Sequence, residues 1–190
     1  MLRLCFALSL FYTLAVAVIS THASAADPVD QYVVREMGIG PLDAETPLDP
    51  HAVEGLLPAG LSVRWESVQF PGALPHPVLR VWDGPALLFE LESATPHNPV
   101  LSSIAVLSPR VADARGTRVG AFYSGLYGHK DDPACQPGFG RFSGRAVCRA
   151  PGSAHVFYVF AGPKPLESGA LPASDELARW RVLAIFWRAA

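Results

Sequence analysis

Asp83-Gly84 stands between two apolar runs, Val78 to Trp82 and Ala86 to Leu91. An Asp-Gly pair accepts the left-handed backbone that a tight hairpin needs, so the two runs are predicted to be neighbouring antiparallel strands. A second junction of the same kind, Pro151-Gly152-Ser153, separates Arg145–Ala150 from His155–Phe160. The 18 prolines and 16 glycines agree with this, because they favour many turns and short elements over a helix bundle.

Three further runs read as strands. Leu61 to Phe70 alternates, with Leu61, Val63 and Trp65 on one side and Ser62, Arg64 and Glu66 on the other. Leu101 to Leu107 is closed by Pro109, and Arg181 to Arg188 is apolar on both faces, which predicts a central strand. Helical spacing of Leu177, Trp180, Ala184 and Trp187 is the alternative for that last run. Asp49-Pro50 predicts a short helix over His51 to Leu57, with Asp as cap and proline at the first helical position. A second short helix is expected from Ala121 to Tyr127, with Phe122 and Leu126 docking on the sheet and Gly128 as C-cap. A third is expected from Asp175, capped by Ser174. Gly38-Ile39-Gly40-Pro41 is a sharp turn, and His129 to Gly140 is a polar loop. The expected fold is α+β: a single domain with a mostly antiparallel sheet of about seven strands and two or three short helices.

The first 25 residues read as a secretory signal peptide, with one basic residue, Arg3, then an apolar stretch from Phe6 to Ile19 and the small-residue pattern Ala23-Ser24-Ala25. The apolar run is shorter than the roughly 20 residues a spanning helix needs. Residues 26–190 are then a single exported domain of the periplasm, with no transmembrane segment in the mature chain. Cys5 precedes the apolar run, so it cannot be the lipidated residue of a lipoprotein. Cys135 and Cys148 remain, and in an oxidising compartment they are expected to form a disulfide worth about 3 kcal/mol.

No catalytic signature stands out. Ser124 and Ser143 each precede a glycine without the spacing of a nucleophile elbow. His51 and Glu54 share a helix face, but the second histidine of a zinc helix is missing. Gly138-Phe-Gly140-Arg-Phe-Ser-Gly144 superficially resembles a phosphate loop, yet it follows no strand and opens no helix. His51, His76, His97, His129 and His155 are scattered, and Trp65, Trp82, Trp180 and Trp187 each have the apolar neighbours of core residues. A formal net charge of -2 gives no electrostatic footprint for nucleic acid. No metal or cofactor is expected.

Gly38-Ile39-Gly40-Pro41, the Gly116-Thr-Arg-Val-Gly120 turn, the Cys135 and Cys148 pair, and the closing Leu171-Pro172, Trp180 and Ile185-Phe-Trp187-Arg188 together resemble the DUF1131 family. These are small envelope proteins of Gram-negative bacteria, including a lipoprotein under sigma-E (envelope stress) control. The similarity covers about residues 36 to 188. It implies a periplasmic or outer-membrane-associated location and supplies no catalytic residues. The chain departs from the lipoprotein members in lacking their lipidated cysteine.

The expected function is that of a non-enzymatic periplasmic binding or envelope-stress and maintenance factor, with an envelope protein or cell-wall component as partner. A specific form is a hydrolase inhibitor presenting the Tyr127 to Phe142 loop. The residues expected to make the contact are Tyr127, His129, Lys130, Asp131 and Arg141. The alternative is a small envelope hydrolase using His129 or His155 with Asp131.

Overall fold

The computed structural model describes residues 32–70, 74–95, 99–127, 135–166 and 169–190. In chain order the elements are β1 (Val33–Arg35), β2 (Gly38–Ile39), β3 (Leu42–Asp43), α1 (Pro50–Leu56), β4 (Leu61–Val68), β5 (His76–Asp83), β6 (Ala86–Glu92), β7 (Ser103–Val106), β8 (Ala112–Asp113), α2 (Tyr123–Leu126), β9 (Cys135–Pro137), β10 (Ala146–Arg149), β11 (Val156–Ala161), α3 (Ser174–Leu177) and β12 (Arg181–Arg188). They form a large sheet of order β4-β5-β6-β7-β12-β11-β10-β9 and a small one of order β3-β2-β1-β8.

Every pairing in the large sheet is antiparallel. It consists of two meanders, β4 to β7 and β9 to β12, joined where β7 pairs with β12. The seven expected strands are all in it. The eighth, β9, lies inside the stretch read as a polar loop, and Cys135 there is disulfide-bonded to Cys148 directly opposite on β10. The run from Arg181 is the central strand β12, flanked on both sides, and the helical alternative is excluded.

One face of this sheet makes the core. Val63, Val81, Phe89, Val106, Ile185, Tyr158, Cys148 and Cys135 face one another in register across all eight strands. The small sheet and α1 cover that face with Tyr32, Val34, Ile39, Leu42 and Val53. Each such buried side chain contributes about 1.5–3 kcal/mol. The Trp187 indole N–H donates to the Glu36 carbonyl at 2.8 Å and so ties β12 to the end of β1.

The small sheet corrects the reading of the Gly38–Pro41 stretch, which is a two-strand hairpin rather than a turn alone. Gly38 has φ of 143°, and a Cβ there would lie 1.9 Å from the Leu42 carbonyl oxygen, so the hairpin closes only around a glycine. α1 begins as expected, with the Asp49 carboxylate accepting from the N–H groups of His51 and Ala52 at 3.0 and 3.1 Å.

The other helices differ from expectation. α2 is a single turn with no buried residue. Phe122 is 45% exposed under the Arg181 guanidinium, 3.7 Å from the ring centroid, and does not dock inwards. Tyr123 and Tyr127 pack on Phe160 in its place, because the chain enters this turn extended and puts its tyrosines on the sheet side. Gly128, the expected C-cap, lies outside the described residues. α3 has Ala173 at its N-cap with no side-chain cap, so Ser174 is its first helical residue and not its cap.

Candidate functional site

The second face of the large sheet carries a different row in the same register: Arg64, Arg80, Glu90, Ala105, Phe186, Phe157 and Arg149. Its left half is an ion-pair ladder. Arg64 Nε donates to Glu66 at 2.8 Å, and Arg80 Nη1 donates to the other Glu66 oxygen at 2.6 Å. Arg80 Nε and Nη2 both reach Glu90 Oε1, at 2.8 and 2.6 Å. Glu90 is 3% exposed, and its second oxygen accepts from Arg141, which also donates to Glu92. His76 Nε2 lies 3.8 Å from Glu92 at the end of the ladder. A carboxylate this buried is tolerated because both of its oxygens accept from guanidinium groups.

Arg141 belongs to the β9–β10 connection, far from Glu90 in the chain. The connection folds back over the second face through a single 3-10 turn, Gly140–Phe142. Gly138 N–H donates to Arg145 O at 2.8 Å to close the loop, and a Cβ at Gly138 would lie 2.3 Å from the Phe142 carbonyl oxygen. Phe142 stacks edge-on against Phe186 of β12, with centroids 5.1 Å apart. The Arg141 guanidinium lies 5.1 Å from the Phe70 ring and 5.2 Å from the Phe142 ring. Charge, stacking and backbone closure therefore all hold this loop down.

Beneath the loop is a cleft of about 300 Å³. Val147, Phe157 and Phe186 form its floor, Phe139 and Phe142 its loop side, and Arg141 and Arg188 its polar edge. Phe139 is 76% exposed. This is an apolar concavity with a few convergent polar groups, the usual form of a small-molecule site.

The expected contact residues separate. Arg141 is central, as the pin of the loop. Tyr127 is not a surface contact: it is 5% exposed in the core and its hydroxyl donates to the Arg149 carbonyl at 2.7 Å. Burial, with the neighbouring Tyr158 and Tyr123, pushes its phenol well above the ordinary value. His129, Lys130 and Asp131 lie outside the described residues. Cys135 and Cys148 are the disulfide that holds β9, and with it Gln136 at the cleft.

The motif Gly116-Thr-Arg-Val-Gly120 is explained by a buried network on the core side. Asp113 Oδ1 accepts from the N–H groups of Arg115 and Thr117 at 2.9 and 2.8 Å, and the Tyr158 hydroxyl donates to its other oxygen. Burial first, then the bond to Asp113, raises the Tyr158 phenol. The His155 ring sits on the Arg188 carbonyl oxygen at 3.0 Å. Ser153 Oγ accepts from the N–H groups of His155 and Val156, so it serves the turn between β10 and β11. Among the described residues no three His, Cys, Asp or Glu side chains gather as a metal site.

Sequence reasoning missed Glu90, Glu92 and Phe186. In the sequence Glu90 and Glu92 stand two apart, as the polar side of any half-exposed strand does. A regular hairpin count places neither glutamate opposite Arg80, and the loop that covers them comes from the far end of the sheet.

The architecture defines a class: a single α+β domain with a two-meander antiparallel sheet, a core on one face and a pinned aromatic cleft on the other. The chain belongs to the DUF1131 family, described as proteins of unknown function, whose family model matches residues 22–189. The uncharacterized protein YfeY of Escherichia coli K12 is 30% identical over 196 residues, spanning 98% of this chain and 97% of that protein. The crystal structure of Escherichia coli YfeY superposes with a TM-score of 0.64 at 28% identity, covering 83% of this chain and 99% of that one. Among the described residues no helix is long and apolar enough to cross a membrane.

Proposed function

We propose that this chain is an exported, non-enzymatic binding protein of the Gram-negative envelope, acting in envelope maintenance or stress, and that its ligand occupies the cleft beneath the Gly138–Phe142 loop. The observation that carries the reading is the loop itself. Arg141 is committed to two glutamates that are distant in sequence, and the commitment holds an aromatic wall over an otherwise open sheet face. The leader pattern and the disulfide support export. For the hydrolase alternative, the His155 ring is taken up by a backbone carbonyl, and His129 and Asp131 lie outside the described residues.

The test is to express the full chain in a Gram-negative host and recover it from the periplasm. Sequencing is expected to find Ala26 at the amino terminus, and a chain kept in the cytoplasm with its leader intact would refute export. Native mass spectrometry of the recovered chain is expected to show a bound small molecule that Val147→Trp, which fills the floor, does not retain. Equal retention by both would remove the cleft as the site.

A second reading, an inhibitor that presents the loop to a hydrolase, is favoured by the exposure of Phe139 at the loop tip. Phe139→Ala then abolishes inhibition, whereas Val147→Trp, which fills the floor beneath the loop, leaves inhibition in place.

A further inference from the structure

The three glutamates on the second face are all taken. Glu66 is held by Arg64 and Arg80, Glu90 by Arg80 and Arg141, and Glu92 by Arg141. Arg188 is the cation left unpaired at the cleft; Arg149, on the same face, does not line it. It ends β12 at the cleft edge, exposed, with its guanidinium 5.8 Å from the centroid of Phe157 on the cleft floor. Among the described residues no carboxylate pairs with it. An apolar cleft with one uncompensated guanidinium at its mouth complements a molecule with an apolar body and one anionic end.

The floor narrows the choice further. It belongs to β10, β11 and β12, whose backbone groups are paired on both sides within the sheet. An extended peptide would find side-chain surface there but no ladder of donors and acceptors for its own amides, and burying unpaired amides is costly. A hydrocarbon chain has no such requirement. From these observations we infer that the cleft binds a single-chain fatty carboxylate, its chain against Val147, Phe157 and Phe186 and its carboxylate on Arg188. This ligand class rests on the cleft being the binding site.

The experiment is calorimetric titration of the exported chain, delipidated beforehand, with laurate below its micelle concentration. Parallel titrations use octanoate, dodecanol and a phenylalanine-terminated tripeptide. Laurate binds one to one, and octanoate binds more weakly by at least tenfold, because each buried methylene is worth about fourfold in affinity. Dodecanol binds more weakly than laurate. Arg188→Gln lowers laurate affinity about tenfold and leaves dodecanol unchanged, as loss of a charge-assisted hydrogen bond requires. Arg188 is exposed, so this variant is expected to melt like the parent. Failure of laurate to bind, equal laurate affinity in Arg188→Gln, or tighter binding of the tripeptide overturns the inference. If laurate fails while Val147→Trp still sheds another molecule found by mass spectrometry, the ligand class is wrong and the cleft stands. If laurate binds undiminished to a folded Val147→Trp, the cleft itself is wrong.

Discussion

The two faces of the large sheet come from the same strands, one residue out of phase. On one, Val81, Phe89, Val106, Ile185 and Tyr158 line up; on the other, Arg80, Glu90, Ala105, Phe186 and Phe157 do. The first row is held by burial, which is non-directional and closes every gap. The second is held at one end by guanidinium–carboxylate geometry and at the other by ring stacking, and both are directional. Directional contacts can hold a loop at a distance from the sheet, and a space survives under it. The cleft exists because the second face is not packed the way the first is.

Adjacent residues on β6 break the comparison most directly. Phe89→Ala empties a fully buried position on the first face and is expected to cost about 4 kcal/mol in urea unfolding. Removing the disulfide with Cys135→Ser and Cys148→Ser costs about 3 kcal/mol. Amide exchange should rise at positions 135 and 136 of β9 before it rises elsewhere, and a uniform rise would mean β9 does not depend on the bond. Glu90→Gln keeps the shape but leaves Arg80 and Arg141 facing a neutral amide, at a cost of about 2 kcal/mol. A cost as large as that of Phe89→Ala would mean the two faces are not distinct in kind. Phe142→Ala loses its stack on Phe186, worth about 1 kcal/mol, and opens the cleft.

The smallest effect is electrostatic. The hydrogen bond from Arg80 outweighs burial and, with Arg64, holds the Glu66 carboxyl below its ordinary value. A depressed carboxyl stabilises the fold fully above the unfolded value, about 4.3, and the contribution disappears as pH falls below it. The melting temperature should therefore drop between about pH 5 and pH 3, and Glu66→Gln should flatten part of that drop.

The strands of the large sheet were legible because alternation and turn chemistry agreed in each of them. Those of the small sheet were not, since Gly38–Ile39, Leu42–Asp43 and Ala112–Asp113 are too short to show a period and exist through tertiary contact. β9 was hidden for the same reason and by Pro137 within it. The site was half legible. Arg141 could be named from its loop, but its partners could not. The β5–β6 hairpin has an irregularity between Val81 and Trp82, where Trp82 pairs with Leu87 and Val81 with Phe89. A regular hairpin counted back from Asp83-Gly84 would set Arg80 against Phe89 and assign the ladder to the wrong face. The inserted Leu88 corrects the phase, and no local rule in the sequence announces it.

The ends of the large sheet are unlike. β9 is three residues long, carries a proline and is bolted to its neighbour, whereas β4 runs eight residues with its flank outermost. A newcomer strand finds no purchase on the first and a full-length berth on the second. Among the described residues of the large sheet, this leaves one long flank for strand-to-strand association of folded copies, and two copies joined through that flank use it up. The short, bolted strand in this sense closes one of the two flanks through which the large sheet could be extended.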